Sequence, residues 1–321
     1  MELSGSLTSR GPRPKGGGSR TPRVNASSRF GSGNAATFAS PRASWHEIPP
    51  GEIERIVHAA LEEDLGAGDA TTEATIDADA TCSAQILLKE PGVVSGLPVA
   101  EAVFLSVDCD VAFEVLVDDG EAVDPGPIAS VSGSARAVLA AERTALNLLG
   151  RMCGIATLTR RFVDAVADTG ATILDTRKTT PGLRVLEKYA VRCGGGTNHR
   201  LALDDAILIK DNHLRLAGGI DQAVAAARGS HPDLPLEVEA ETVNDVHEAL
   251  AADADAILLD NMRPAEIAEA VALVGGRARL EASGGVTLEN VRELAATGVD
   301  SISVGALTHS ARALDVSLEV R

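Results

Sequence analysis

The sequence predicts an α/β protein in which a small α+β domain precedes an incomplete parallel α/β barrel. From residue 171 onward, six short apolar segments alternate with amphipathic helical segments, a pattern typical of a parallel sheet. Six such units are fewer than the eight of a complete barrel, so we expect the barrel to be incomplete. The composition agrees, because 45% apolar residues with only 2% aromatics suit aliphatic strands covered by Ala-rich helices.

Changes in this pattern divide the chain into four predicted regions. Residues 1–45 are rich in Gly, Ser, Pro and Arg, which predicts a disordered basic tail. Residues 46–146 form the N-terminal domain, residues 147–306 the barrel with the site, and residues 307–321 a segment whose lone strand returns to the N-terminal domain. The tail could be a functional basic or transit segment. We favour an unstructured extension or a spurious start.

The elements follow in order along the chain. Helical periodicity predicts a first helix over residues 48–65, and a long helix from about 135 toward 167, interrupted near 150–154. Strands of the first domain are expected at 84–89, 92–95, 111–117 and 128–132. The barrel segments with strands that end in polar residues are 171–178, 206–213, 236–242, 256–261, 279–285 and 301–307, and the helices between them are 220–227, 243–252, 264–274 and 288–296.

Charge and composition exclude several classes of protein. The net charge of −17 argues against a general nucleic-acid binder, and no apolar run reaches the roughly 20 residues that span a bilayer. Four scattered cysteines without a CxxC pair predict free thiols in a reducing cytoplasm. The 24 Arg against 5 Lys indicate either a salt-rich cytosol or a GC-rich genome, and the sequence favours neither.

The ends of the predicted strands carry the candidate chemistry, since in parallel barrels these ends converge on one mouth. A cationic group is expected there, and in an acidic protein it predicts an anionic ligand, with Arg suited to carboxylates. Its members are Arg143, Arg177, Lys178, His199, Arg200 and Lys210. His213 is interpreted as a residue that fixes the loop backbone rather than a ligand contact.

A second group comprises Glu239 and Asp260, carboxylates at neighbouring strand ends that suit ribose hydroxyls or Mg²⁺. The alternative is that both acids are salt-bridge partners of the cations. A third group is Ser283, Gly284 and Gly285 with Val304, Gly305 and Ala306. Glycines at the last two strands of a barrel are typical of a phosphate site.

These residues stand within longer strings that resemble the quinolinate phosphoribosyltransferase family, also called the carboxylating nicotinate-nucleotide pyrophosphorylases. The resemblance covers about residues 47–321, and TRKTTPG followed by GGGTNHR is highly specific. The other strings, in order, are AERTALNLLGRMCGIAT, LIKDNH, LEVEAET, ILLDNM, EASGGV and VGALTHS.

The resemblance implies an open-faced α/β sandwich followed by the incomplete barrel, in an intertwined homodimer in which each active site faces the sandwich domain of the other subunit. The sequence does not decide whether such dimers assemble further. The reaction it implies joins quinolinate to phosphoribosyl pyrophosphate and releases pyrophosphate and CO₂, forming nicotinate mononucleotide in NAD biosynthesis.

The resemblance also implies a role for each site residue. Arg143 would reach the quinolinate bound by the partner subunit. Lys178 and Lys210 would also touch the pyrophosphate, and Glu239 with Asp260 would hold the ribose and Mg²⁺. Lys178, Lys210, Glu239 and Asp260 are the expected catalytic set. Arg177, His199 and Arg200 would line the dicarboxylate pocket together with Lys178 and Lys210, and Thr176 is a further expected substrate-binding residue. The 283–285 and 304–306 loops would bind the 5′-phosphate.

Other functions fit these residues less well. A transferase for another acidic heteroaromatic, like the family's paralogues linked to molybdenum uptake, would not need the full cation set. A barrel isomerase of phosphorylated sugars would use the glycine loops but leave TRKTTPG and GGGTNHR without a role. A non-catalytic phosphate-binding sensor would be indicated by the loss of Lys178 or Glu239, and both are present.

Overall fold

An antiparallel sheet and a parallel sheet organise residues 48–321, the part of the chain that this computed structural model describes. The predicted tail over residues 1–45 lies outside the described residues. The antiparallel sheet has four strands in the order β12-β1-β5-β3, and a small second ribbon pairs β2 with β4. These strands are β1 Thr81–Leu88, β2 Gly92–Val93, β3 Ala112–Val115, β4 Ala122–Val123, β5 Gly126–Ser134 and, at the end of the chain, β12 Val316–Val320.

Three helices accompany this sheet: α1 Pro50–Leu65, α2 Ala70–Thr75 and α3 Leu97–Val107. Helix α1 buries the periodic residues Ile53, Ile56, Val57 and Leu61, as the sequence pattern predicts. Helix α3 was not predicted, because it is apolar around most of its circumference and therefore has little amphipathic periodicity. It packs against α1 and the long helix that follows.

Helix α4, Ala135–Val166, runs without a break through the expected interruption at 150–154. That prediction was wrong because the glycines there serve close packing instead of chain reversal. A Cβ built on Gly154 would lie 1.9 Å from the carbonyl oxygen of Arg312, and one on Gly150 would lie 2.8 Å from that of Leu314. The C-terminal segment thus crosses directly over α4 before β12 pairs antiparallel with β1.

The six parallel strands form a sheet in the order β6-β11-β10-β9-β8-β7, in which the first strand along the chain neighbours the last. A closed barrel would also pair β6 with β7. These two strands are instead the edges of the sheet, which agrees with the predicted incomplete barrel. The strands are β6 Thr172–Leu174, β7 Ile207–Ile209, β8 Leu236–Ala240, β9 Ala256–Asp260, β10 Arg279–Ser283 and β11 Ser301–Ser303.

Helices follow these strands, and α5, α6 and α11 were not among the predicted elements. The helices are α5 Arg184–Cys193, α6 Asp211–Ala217, α7 Ile220–Ser230, α8 Val243–Ala251, α9 Pro264–Val274, α10 Val291–Ala295 and α11 Ala306–His309. None of the helices within residues 48–321 is long and apolar enough to cross a membrane. All four cysteines, Cys82, Cys109, Cys153 and Cys193, are free thiols.

The face of the parallel sheet that carries the site residues is mostly polar, with Leu258 among the acidic residues. Glu239 aligns with Leu258, and Asp260 aligns with Ser283. Because side chains alternate along a strand, Glu237 and Glu281 share this face, while the apolar residues between them point to the helices. The apolar core therefore lies between sheet and helices, and the polar face lies inside the barrel.

We expect Gly154→Ala to destabilise the protein, because its methyl group would overlap the backbone of the C-terminal segment, which cannot rotate away. Overpacking of this kind typically costs about 1–3 kcal/mol. The denaturant midpoint, followed by circular dichroism, measures the effect. Gly229→Ala is the control, since an added Cβ on this exposed helical glycine meets nothing within 4 Å. Equal midpoints for both variants would contradict the close approach.

Candidate active site

Arg177 and Lys178 lie in the loop that follows β6. The backbone N–H of Lys178 donates to Thr176 Oγ1 at 3.0 Å, and the hydroxyl of Thr308 donates to the Lys178 carbonyl at 2.8 Å. The loop after β6 is therefore attached to the segment after β11. A Cβ on Gly305 would lie 3.2 Å from Lys178 Cδ, so the Lys178 side chain passes beside the 304–306 loop.

His199 and Arg200 reach the mouth from the open edge of the barrel. Thr197 forms a parallel bridge with Leu174 of β6, so the segment before His199 runs along the edge that β7 leaves unpaired. The backbone N–H of His199 donates to Asp175 Oδ1 at 2.9 Å, and the guanidinium of Arg200 donates to the Ala206 carbonyl at 3.1 Å. Both predicted cations consequently lie beside the loop of Arg177.

The proximity of these cations has an electrostatic signature. The pKa of Arg200 is lowered, first by burial and then by the like charge of Arg177. The Nε of Arg177 is buried and has no hydrogen-bond partner among the described residues. Two guanidinium groups in mutual repulsion, one with an unsatisfied donor, form a site that an anion would stabilise.

His199 connects the mouth to the barrel interior. Its Nδ1 accepts a hydrogen bond from the Arg200 backbone N–H at 2.7 Å, which assigns the ring proton to Nε2. Nε2 lies 3.1 Å from Glu237 Oε2 and 3.6 Å from Glu281 Oε2. The hydrogen bond with Glu237 is the main cause of a raised His199 pKa, although protonation of Nδ1 would disrupt the contact with Arg200.

Glu237 and Glu281 were missed by the sequence reasoning. Both are buried, and burial followed by the charge of Glu237 raises the pKa of Glu281 to about 7. The available signal was the alternation Glu237-Val238-Glu239, in which acidic residues recur at every second position of an otherwise buried strand. The ligand atoms of His199, Glu237 and Glu281 lie within 4.8 Å of one another, as in a metal site. Since the ring proton on Nε2 occupies the space between these atoms, a metal would have to displace it.

Glu239 and Asp260, the two predicted carboxylates, differ in their ion pairing. The Nζ of Lys210 donates to Glu239 Oε2 at 2.5 Å, as the salt-bridge alternative requires. Asp260 accepts from the Asn261 side chain at 2.7 Å, and it has no salt bridge among the described residues. Its pKa is raised by burial and then by the charge of Glu239, and the charges of Lys210 and Lys178 oppose this shift.

Glu239 and Asp260 fit a hard divalent cation. They are oxygen donors on the same face of adjacent strands, and each raises the cost of the other's negative charge. A doubly charged ion between them would remove that cost, while Lys210 already offsets part of it.

Gly284, in the 283–285 loop, meets a strict spatial requirement. Gly284 has φ +90°, and a Cβ there would lie 2.2 Å from Asn261 Oδ1. The backbone N–H of Asn261 donates to the Ser283 carbonyl at 2.8 Å, which holds the ends of β9 and β10 together. The loop backbone is thus exposed at the mouth without side chains that would cover it, as phosphate binding requires.

Two further residues considered from the sequence are Arg143 and His213. Arg143 lies on α4 with 62% of its side chain exposed, and it is 3.9 Å from Glu142. No hydrogen bond or ion pair within residues 48–321 joins Arg143 to the strand-end residues. His213 accepts a hydrogen bond from the Lys210 backbone N–H at 2.9 Å, as the loop-fixing interpretation predicts.

Comparison with known proteins places the chain in a family. Residues 69–153 match the model of the quinolinate phosphoribosyl transferase N-terminal domain, and residues 155–319 match that of the C-terminal domain. The chain is similar to the nicotinate-nucleotide pyrophosphorylase [carboxylating] of Mycobacterium leprae, with 47% identity over 82% of this chain and 95% of the relative. It is also similar to quinolinate phosphoribosyltransferase [decarboxylating] 1b of Nicotiana tabacum, with 42% identity over 85% of this chain and 83% of the relative.

Solved structures agree. The crystal structure of NadC from Streptococcus pyogenes matches with a TM-score of 0.82 and 40% identity, over 85% of this chain and 98% of that one. The family models thus cover both domains, and the solved structure has a similar fold. The chain therefore belongs to the quinolinate phosphoribosyl transferase family.

Proposed function

We propose that this protein converts quinolinate and phosphoribosyl pyrophosphate to nicotinate mononucleotide, pyrophosphate and CO₂, a step of NAD biosynthesis. The observation that carries the proposal is the group of cations around the unpartnered Nε of Arg177, of which Lys178 and Lys210 also act on the carboxylate pair Glu239 and Asp260. Phosphoribosyl transfer to a dicarboxylate needs both groups in one site. A cytoplasmic location is part of the proposal, and the four free thiols support it.

The cations bind the substrate with two adjacent carboxylates. Arg177 and Arg200 provide guanidinium donors suited to bidentate pairing, and the dianion relieves their mutual repulsion. Thr176, His199, Lys178 and Lys210 complete the pocket. With its Nε2–H held by Glu237, His199 contributes an oriented ring rather than a freely rotating one.

The opposite side of the pocket holds phosphoribosyl pyrophosphate. Glu239 and Asp260 hold the ribose hydroxyls, and their negative charge stabilises the oxocarbenium character that develops at C1 as its bond to pyrophosphate breaks. The same carboxylates would hold Mg²⁺, which when bound offsets the charge on pyrophosphate. Lys178 and Lys210 contact the departing pyrophosphate, and the 283–285 and 304–306 loops bind the 5′-phosphate.

Carbon dioxide leaves after the ribosyl group is transferred. The ring nitrogen donates its electron pair to C1 of ribose and becomes positively charged. The bond between ring carbon 2 and its carboxylate then breaks, and the electron pair left on the ring is stabilised by the adjacent positive nitrogen. Protonation of this carbon yields nicotinate mononucleotide. The protein has no need of a nucleophilic side chain in this sequence.

Arg143 is assigned to the second subunit's site in a homodimer. Its exposed guanidinium lies on α4 and has no contact with the strand-end residues of its own chain within residues 48–321. An exposed arginine on a helix is suited to enter the pocket of a partner, where it would add a cation against the substrate carboxylates.

We expect quinolinate to be used in strong preference to nicotinate. One carboxylate would leave buried guanidinium donors unpaired, and sites of this kind discriminate by about 10⁴-fold. The assay combines each acid with phosphoribosyl pyrophosphate and Mg²⁺ and follows nicotinate mononucleotide directly. Comparable kcat/KM values for the two acids would refute the proposed substrate.

Arg143→Ala should abolish activity without unfolding the protein, and it should be complemented by Arg177→Ala. When the two variants are refolded together, random pairing makes half of the dimers mixed, with one intact site each, so roughly a quarter of the wild-type activity should return. Arg143→Ala refolded alone is the control. Demonstrated mixed dimers without activity would rule out a shared site.

Glu239→Gln and Asp260→Asn should each reduce turnover by about 30- to 1000-fold, the usual loss for one preorganised electrostatic group. Both substitutions nearly preserve volume, and weaker Mg²⁺ dependence should accompany the loss. Steady-state rates and calorimetric quinolinate affinity are measured together. If Glu239 serves only to neutralise Lys210, then Glu239→Gln will tighten quinolinate binding at near-normal turnover, and the catalytic assignment is wrong.

A further inference from the structure

We propose that Glu187 and Lys188, adjacent residues of α5, are positioning residues that hold the two cationic segments of the active site at a fixed separation. The inference rests on the proposed function, because it concerns the quinolinate pocket. Both side chains are 1% exposed. Charged residues are rarely buried to this degree without specific partners, and here the partners lead to both segments.

Glu187 holds the loop after β6. Its Oε2 accepts the Thr180 backbone N–H at 3.1 Å, and its Oε1 accepts the Nε of Arg151, on α4, at 2.8 Å. Arg151 also donates to the Thr180 hydroxyl at 2.8 Å and to the carbonyl of Thr308 at 2.9 Å. Since Thr308 holds the Lys178 carbonyl, Glu187 and Arg151 connect the loop of Arg177 and Lys178 with the segment after β11.

Lys188 holds the segment of His199 and Arg200. Its Nζ donates to Asp175 Oδ1 at 2.5 Å and to the His199 carbonyl at 3.0 Å. Asp175 in turn accepts the His199 backbone N–H at 2.9 Å and the Asn198 side chain at 2.6 Å. The peptide groups on both sides of His199 are therefore held by one buried ion pair, and Asp175 directly precedes the loop of Arg177.

The buried ion pair of Lys188 and Asp175 is explained by its role in positioning the backbone rather than by a gain in stability. Burial raises the pKa of Asp175 and lowers that of Lys188, so both charges are costly in this environment. Replacing such a pair by uncharged residues is often neutral or stabilising. Arg177 and Arg200, however, carry like charges that act on each other, and carboxylate recognition depends on the spacing of their guanidinium groups, which contacts to the backbone of both segments can fix.

The test uses the double variant Lys188→Met with Asp175→Asn, which removes both charges and retains an acceptor for the His199 N–H. The full-length enzyme should keep its denaturant midpoint and its KM for phosphoribosyl pyrophosphate, while the KM for quinolinate rises by about tenfold or more. If the double variant does not fold, Glu187→Gln replaces it. That substitution keeps an acceptor for Arg151 and turns an amide donor toward the Thr180 N–H, so the quinolinate KM should again rise selectively.

Tyr189→Phe is the matched control on the same helix. It removes a buried hydrogen bond of 2.9 Å to Asp119, which lies between β3 and β4, and should lower the midpoint without changing either KM. An unchanged quinolinate KM in the folded test variant, or an equal rise in Tyr189→Phe, would overturn the inference. A wild-type enzyme that does not turn over quinolinate would instead overturn the proposed function, and this inference with it.

Discussion

The repulsion between cations at the barrel mouth is the interaction on which the arrangement of the site depends. Arg177 and Arg200 lie close enough for one to lower the pKa of the other, although they belong to segments on either side of α5. The backbone of both segments is held by buried contacts that do not involve the side chains of Arg177 and Arg200. Those contacts are made by the buried carboxylates of Glu187 and Asp175 and by the buried amine of Lys188.

The open edge of the barrel has a direct role in this arrangement. Because β6 and β7 do not pair, the chain between α5 and β7 can run beside β6 through the bridge between Thr197 and Leu174. His199 then reaches Glu237 and Glu281, which a seventh and eighth strand would separate from it. The incomplete barrel thus gives a loop access to the polar interior, where a complete barrel would have only side chains from strands.

That the residues at the strand ends come together was predictable from the sequence, since the ends of neighbouring parallel strands lie at the same edge of the sheet. Lys210 and Glu239 illustrate this, because neighbouring strand ends bring them to 2.5 Å. The continuity of α4 was not predictable, because glycine is as typical of a helix break as of close helix packing. Only the position of the Arg312 carbonyl above Gly154 distinguishes the two. Helix α3 was not predicted because it is buried on most sides and therefore has no polar stripe in its sequence.

The sequence by itself determined the fold class, the order of the barrel strands and the types of residue at their ends, because alternation and strand-end position are local properties of the chain. The tertiary structure decided which of these residues are in contact. It paired Lys210 with Glu239 while Asp260 has no salt bridge in the described part of the chain. Within residues 48–321 it gives Arg143 no hydrogen bond or ion pair with the strand-end residues of its own chain. It also places Glu187 and Lys188 in hydrogen bonds with the two cationic segments. The physical reason is that burial and charge pairing depend on distances between segments far apart in sequence, and no local pattern encodes those distances.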